Sequence, residues 1–301
     1  MIGRFLSYIE IKTKITSISP FLMVLAYLFY IEQPIRWRVT WIFFGSMFLF
    51  DLTTTAINNY IDTKTNQQIL QFQRNFALTI LLALLLVSMA LGLYLVILTD
   101  IVVLLVGGLC FIVGILYTFG PVPISRLPLG EIVSGVFYGF FIPFLLFYIN
   151  MPEGTFLTFD CNTGSMTLLI RLNILPLFTV FLLSVAPMFT TANIMLANNI
   201  CDLEKDIANK RYTLPYFIHD KALPLFAWLY YMTYFTTILM VLLNILAPIV
   251  LFSLLTIFFV QKNIKQFYQV QKKESTFLFS IQNYIIIIGT NTFFIFLSGI
   301  I

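Results

Sequence analysis

Charge is what this chain has least of. Only 10% of its 301 residues are Asp, Glu, Lys or Arg, against roughly 25% in soluble domains. A water-soluble globule is excluded: 60% of the residues are hydrophobic and the mean hydropathy is +0.96, the composition of a polytopic membrane protein. Cysteine is scarce too. Cys110, Cys161 and Cys201 show no CxxC spacing, and two of them fall in or beside apolar runs, which argues against a disulfide framework or a zinc site. The single histidine, His219, reads as a solvated loop residue. No cleavable leader is evident, because Arg4, Lys12 and Lys14 precede an apolar run without a small-residue cleavage site. The net charge of +4 is scattered over short loops and carries no nucleic-acid signature. Aromatics, in contrast, are abundant. The 33 Phe and 15 Tyr exceed what interfacial belts need, and part of the excess is expected to line an internal cavity.

A membrane-spanning helix needs about 20 mostly apolar residues. Nine runs meet this, at 16–31, 40–61, 76–98, 101–119, 131–149, 172–200, 222–243, 245–260 and 278–300. Unbroken runs of this length favour helices over a closed barrel, so the expected fold is all-α, a single integral-membrane domain over residues 1–301 with about nine transmembrane helices. With the N-terminus inside, the inner segments hold 14 Lys and Arg and the outer ones hold only Arg36, Arg38 and Arg171. That bias places the N-terminus in the cytoplasm and the protein in the cell membrane. The outer segment at about 150–171 is too short for a soluble domain.

Two near-copies of one polar pattern interrupt the apolar chain. Asn58, Asn59, Asp62 and Asn66 close the second run, and Asn198, Asn199, Asp202 and Asp206 close the sixth at the same interval for every matched position. On a helix each set stacks as a stripe of amides and carboxylates along one face. Ionisable groups at this depth are expensive and read as functional by default. Four spans separate the stripes, which implies a duplicated four-helix unit with both stripes on the cytoplasmic side. Helix-end caps and surface ion pairs are the bland explanation for one stripe alone, and the matched duplicate argues against it.

Asp62, Asp202 and Asp206, with the amide oxygens of Asn58 and Asn198, suit a hard divalent cation. Mg2+ in particular binds through a few carboxylates plus phosphate oxygens. Lys64, Arg74, Lys205, Lys210 and Arg211 lie beside the acids. Mixed with metal-binding carboxylates, they describe a diphosphate site in which the basic groups neutralise what the metal does not. Asn59, Asn66 and Asn199 complete the set of expected substrate contacts. Asp51 continues the face of the first stripe inwards and is expected to face the cavity or pair within the bundle. Lys12 and Lys14 read as topology-setting charges, with binding of a substrate carboxylate as the alternative, and Lys262, Lys265, Lys272 and Lys273 as a basic loop drawn to anionic lipid.

These residues resemble the UbiA superfamily of intramembrane aromatic prenyltransferases over most of the chain. That superfamily carries two Asp-rich motifs, NDxxDxxxD and DxxxD. The run from Asn198 to Asp206, followed by Asn209-Lys210-Arg211-Tyr212-Thr213-Leu214, is similar to the NNxRDxxxDxxxGKRTL pattern of its menaquinone branch. Tyr117-Thr118-Phe119-Gly120-Pro121-Val122-Pro123, continuing to Leu129-Gly130-Glu131, is similar to that branch's YTGGPxP…LGE segment. Asn59, Asn66, Cys201 and Asn209 depart from the pattern. Asn59 and Asn66 leave Asp62 as the sole carboxylate of the first stripe, so that stripe is expected to hold metal weakly or through water.

The resemblance implies a UbiA-type helical bundle and a Mg2+-dependent transfer of a polyprenyl group from its diphosphate to an aromatic acceptor. With 1,4-dihydroxy-2-naphthoate and loss of CO2, the product is demethylmenaquinol. It also implies that ring faces stabilise an allylic cation, with Tyr117, Phe119, Phe137, Tyr138 and Phe141 as candidates and Tyr117 favoured by its place in the matched segment. Glu131 either orients the acceptor or takes a proton; its place in the first helical turn is also favoured by the helix dipole alone. Three alternatives stay open: a different aromatic acceptor, a non-catalytic isoprenoid- or quinone-binding homologue, and a secondary transporter.

Overall fold

A computed structural model describes residues 2–65, 69–121, 123–162 and 167–301. Its membrane helices are α1 (Ile15–Tyr30), α2 (Trp37–Thr65), α3 (Arg74–Leu98), α4 (Ile101–Leu116), α5 (Gly130–Asn150), α6 (Ile174–Cys201), α7 (Ala222–Leu242), α8 (Pro248–Gln269) and α9 (Leu278–Ser298). Seven are long and apolar enough to cross a bilayer, and α1 and α4 are shorter apolar helices. The nine apolar runs thus each become a helix. One run changes character: α8 begins as a 3-10 helix over Pro248–Thr256 and turns α-helical over Ile257–Gln269. Its second half is amphipathic and carries Lys262 and Lys265 past the apolar run.

α2 and α6, at 29 and 28 residues, are about 43 Å long at 1.5 Å per residue. A hydrocarbon core of about 30 Å cannot cover them, so their polar C-terminal ends project beyond it. Each then folds back on the next long helix, α2 on α3 and α6 on α7, so the two stripes occupy equivalent places in two similar hairpins. α1 packs on α9 and α5, and α6 contacts α5, α7 and α9. The segment at about 150–171, expected as an outer loop, instead contributes an antiparallel strand pair, β1 (Leu157–Asn162) with β2 (Thr167–Leu172).

The crossing of α5 and α6 fixes the middle of the bundle. A Cβ at Gly135 would meet the Met188 carbonyl at 2.8 Å, and one at Gly139 would meet the Met188 backbone at 2.3 Å. This G-x-x-x-G pair lets the two backbones touch, beside Pro187 inside α6. At the same level α5 widens into a π-helical turn, Phe137–Phe141. Such turns re-aim side chains and recur at functional sites; here the turn carries Tyr138.

Candidate functional site

The two stripes converge on one cavity of about 1000 Å³. Asn58 and Asp62 from the end of α2, and Asn198, Asp202 and Asp206 from the end of α6 and the short helix Leu203–Ala208, all line it. Lys205, Arg211 and Lys273 line it as well. Tyr117, Phe137, Tyr138 and Phe141 supply ring surface, and α3 and α4 supply an apolar wall that includes Leu93, Val96, Leu104 and Phe111.

Within each Asn-Asn pair only the first residue reaches the cavity. Successive helical residues are rotated by about 100°, so the second must point elsewhere. Asn59 Nδ2 donates to the Tyr8 carbonyl at 2.8 Å, and Asn199 Nδ2 donates to Glu131 Oε1 at 2.8 Å. Asn59 and Asn199, expected as substrate contacts, therefore hold neighbouring segments in place. Asn58 Oδ1 accepts from Thr118 Oγ1, which ties the first stripe to the segment after α4.

Arg74 also turns away from the cavity. It donates to the Tyr60 carbonyl at 3.2 Å and lies over the Tyr60 ring, 5.1 Å from its centroid, where it staples α3 to α2. Lys210 is exposed, has a positive φ of 55°, and is not on the cavity wall. Glu131 is buried behind the wall on its bond from Asn199, with its other oxygen unpartnered. Phe119 is 61% exposed and does not line the cavity. Asn66 and the side chain of Lys64 lie outside the described residues.

The acids and bases at the mouth are already engaged with one another. Arg211 Nε stands 3.5 Å from Asp206 Oδ1, and Lys273 pairs with Asp202. A small side pocket brings Arg211, Arg126 and Asp62 together, so Arg211 lies between the two stripes. The segment resembling YTGGPxP holds it there: Arg211 Nη2 donates to the Ser125 carbonyl at 3.3 Å, and the Tyr212 amide donates to the Arg126 carbonyl at 3.1 Å. Asp206 is only 5% exposed. Burial pushes its carboxyl above the usual carboxylate range, while Arg211 pulls it back.

Among the described residues no three His, Cys, Asp or Glu side chains form a ready metal cage. The donor set nevertheless fits Mg2+, which usually takes one or two carboxylates and completes its shell with substrate phosphates and water. Asp206 Oδ2 is buried without a hydrogen-bond partner and faces such a role. Lys273 is the residue that sequence reasoning placed elsewhere. It sits 71 positions from Asp202, in a basic loop with no motif, so only the packing of α9 against α6 discloses it.

Fold and site together define an integral-membrane helical protein with an acidic and basic mouth opening on an internal aromatic cavity. The UbiA prenyltransferase family model matches residues 18–284, and the chain belongs to that family. Its fold is similar to that of a digeranylgeranylglyceryl phosphate synthase, with a TM-score of 0.64 and 17% identity over 99% of this chain and 98% of that one. It is also similar to an apo UbiA homologue from Aeropyrum pernix K1, with a TM-score of 0.64 and 16% identity over 91% and 96%. A third likeness is to a UbiA homologue from Archaeoglobus fulgidus bound to DMAPP and Mg2+, with a TM-score of 0.60 and 14% identity over 97% and 99%. No curated relative matches it in sequence.

Proposed function

We propose that this prenyltransferase moves a polyprenyl group from an allylic polyprenyl diphosphate to an aromatic acceptor, 1,4-dihydroxy-2-naphthoate, giving demethylmenaquinol after loss of CO2. The observation that carries the reaction class is the meeting of both polar stripes at the mouth of one otherwise apolar and aromatic cavity. The acceptor rests on the likeness of the Tyr117–Glu131 and Asn198–Leu214 segments to the menaquinone branch. The Archaeoglobus homologue's bound DMAPP and Mg2+ support a prenyl diphosphate as donor.

Asp62, Asp202 and Asp206, with Asn58 and Asn198, would hold Mg2+ against the diphosphate. Bound there, the metal neutralises charge on the leaving group. Arg211, Lys205 and Lys273 share that charge. Arg211 and Lys273 exchange their carboxylate partners for phosphate oxygens, so each cation is positioned before substrate arrives. Tyr117, Phe137 and Phe141 exclude water from the allylic carbon and offer ring faces to its developing positive charge. The 14-to-3 distribution of basic residues supports a cytoplasmic mouth and N-terminus in the cell membrane.

Isolated membranes supplied with Mg2+, polyprenyl diphosphates and a panel of acceptors, with products read by mass spectrometry, test this reading. A decarboxylated, prenylated naphthoquinol is expected. A prenylated glyceryl lipid or another prenylated arene would keep the class and replace the acceptor, and no prenylated product would refute both.

The apolar wall makes its own prediction. Gly107 and Gly108 line the cavity, and a Cβ at either would meet nothing within 4 Å. A Gly108→Phe ring would therefore grow into tail space. The longest diphosphate used should shorten by at least one isoprene unit, read as a shift in the product ladder. An unchanged ladder would remove this wall from the tail path.

A further inference from the structure

Deeper than the mouth, the same cavity carries a second polar wall that the diphosphate chemistry does not use. Lys14, Asp51, Thr54, Thr55 and Tyr138 all line it. Lys14 and Asp51 are 2% and 4% exposed, and their partners come from three segments far apart in sequence. Lys14 Nζ donates to Asp51 Oδ1 at 2.9 Å, to the Asp51 carbonyl at 3.0 Å, and to Thr55 Oγ1. Asp51 Oδ2 accepts from Ser17 Oγ at 2.7 Å, and Oδ1 also accepts the phenolic proton of Tyr138 at 2.8 Å.

The proton count is restrictive. An ammonium has three protons, and all three of Lys14's are committed. The Thr54 and Thr55 hydroxyls donate to the Asp51 carbonyl, at 3.0 and 3.3 Å. The Tyr138 proton goes to Asp51. With the Tyr138 proton spent on Asp51, its oxygen acts towards the cavity as an acceptor, one it shares with the neighbouring Thr54 hydroxyl. A hydroxyl proton satisfies that acceptor. A carbonyl would have to draw the Thr54 or Thr55 proton away from the Asp51 carbonyl, and a carboxylate would meet Asp51 with its counter-ion already used.

Position fits an acceptor better than a donor tail. Asp51 lies three turns before Asp62 on α2, about 16 Å along the axis. That separation accommodates a diphosphate at the mouth and a ring system between it and Tyr138. A hydrocarbon tail has the apolar α3 and α4 wall instead and gains nothing from an ion pair. The π-helical turn of α5, held against α6 at Gly139, is what aims Tyr138 at Asp51.

We propose that Tyr138, held by Asp51 and Lys14, is the docking point for a hydroxyl of the acceptor ring, so that a ring O–H of the acceptor, and not its carboxylate, meets this wall. This rests on the prenyl-transfer reading and gives the orientation of its acceptor. Tyr138 acts as a positioning and specificity residue, and Asp51 and Lys14 act through it.

The test is a binding cycle on the full-length protein in nanodiscs, anaerobically, with Mg2+ and an unreactive prenyl thiodiphosphate. Dissociation constants are measured for 1,4-dihydroxy-2-naphthoate and 1-hydroxy-2-naphthoate, and for hydroquinone and phenol, on wild type and Tyr138→Phe. In wild type, loss of the second hydroxyl should weaken binding about tenfold in at least one pair, equivalent to about 1.4 kcal/mol. In Tyr138→Phe that ratio should fall to about one, while thiodiphosphate binding stays at the wild-type value and certifies a folded mouth. A ratio that survives Tyr138→Phe, a wild type that ignores the hydroxyl, or no binding of any of these rings to a protein that binds thiodiphosphate overturns the inference and leaves prenyl transfer standing. Failure of wild type to bind thiodiphosphate refutes prenyl transfer itself.

Discussion

Asp206→Asn should cut prenyl transfer by about 10²–10³-fold, the usual cost of removing one preorganised electrostatic group from a reacting centre, while leaving the fold as stable as before or more so. The two halves of this expectation have one cause. Asp206 is buried, one of its oxygens has no partner, and its carboxyl is pushed up by that burial. Keeping it ionised therefore costs the folded protein free energy at neutral pH, and the amide removes that cost. The same substitution removes the negative charge that a metal–diphosphate complex requires. Activity and thermal unfolding measured on the same purified variant check the pair. Activity near wild type would remove Asp206 from the centre, and a large fall in Tm would make it a structural residue. Asp202→Ala should lose activity to a similar degree and release Lys273. Asp62→Asn should be severe as well, because the first stripe has no second acid among its described residues.

The second large effect concerns stability. Lys14→Met leaves the Asp51 carboxylate buried with only the Ser17 and Tyr138 hydroxyls for company. Breaking a buried pair by removing one partner costs about 3–5 kcal/mol, which should appear as a clear drop in the unfolding temperature in detergent. The double variant Lys14→Met/Asp51→Leu should recover most of it, since a buried pair replaced by apolar groups is often neutral or stabilising. Equal damage in the single and double variants would mean that the pair contributes shape and not charge. The double variant should still bind prenyl thiodiphosphate, because neither residue belongs to the mouth.

Much of the architecture was legible from composition. Nine apolar runs became nine apolar helices, because a hydrocarbon solvent forces each backbone to satisfy itself locally. The stripes were legible because carboxylates and paired asparagines at the end of an apolar helix have few uses other than a site. Their placement around one cavity follows the expected convergence. The pairing of Leu157–Asn162 with Thr167–Leu172 was less legible, because a short segment between membrane helices carries no membrane constraint on its backbone. Lys14, expected to set topology, is instead the buried partner of Asp51, which itself was expected to pair or face the cavity and does both.

What the sequence alone determined is therefore which segments become helices and which helix ends carry chemistry. Both are local properties, set by solvent and by residue spacing. What the tertiary structure decided is the facing of each side chain. It turned Asn58 and Asn198 inwards and Asn59 and Asn199 sideways, sent Arg74 to Tyr60, and brought Lys273 to Asp202 and Tyr138 to Asp51. The physical reason is rotational. A helix about its own axis is nearly degenerate in an apolar medium, and only contact with neighbours distant in sequence, here α5 against α6 at Gly139 and α1 against α2 at Asp51, selects the angle.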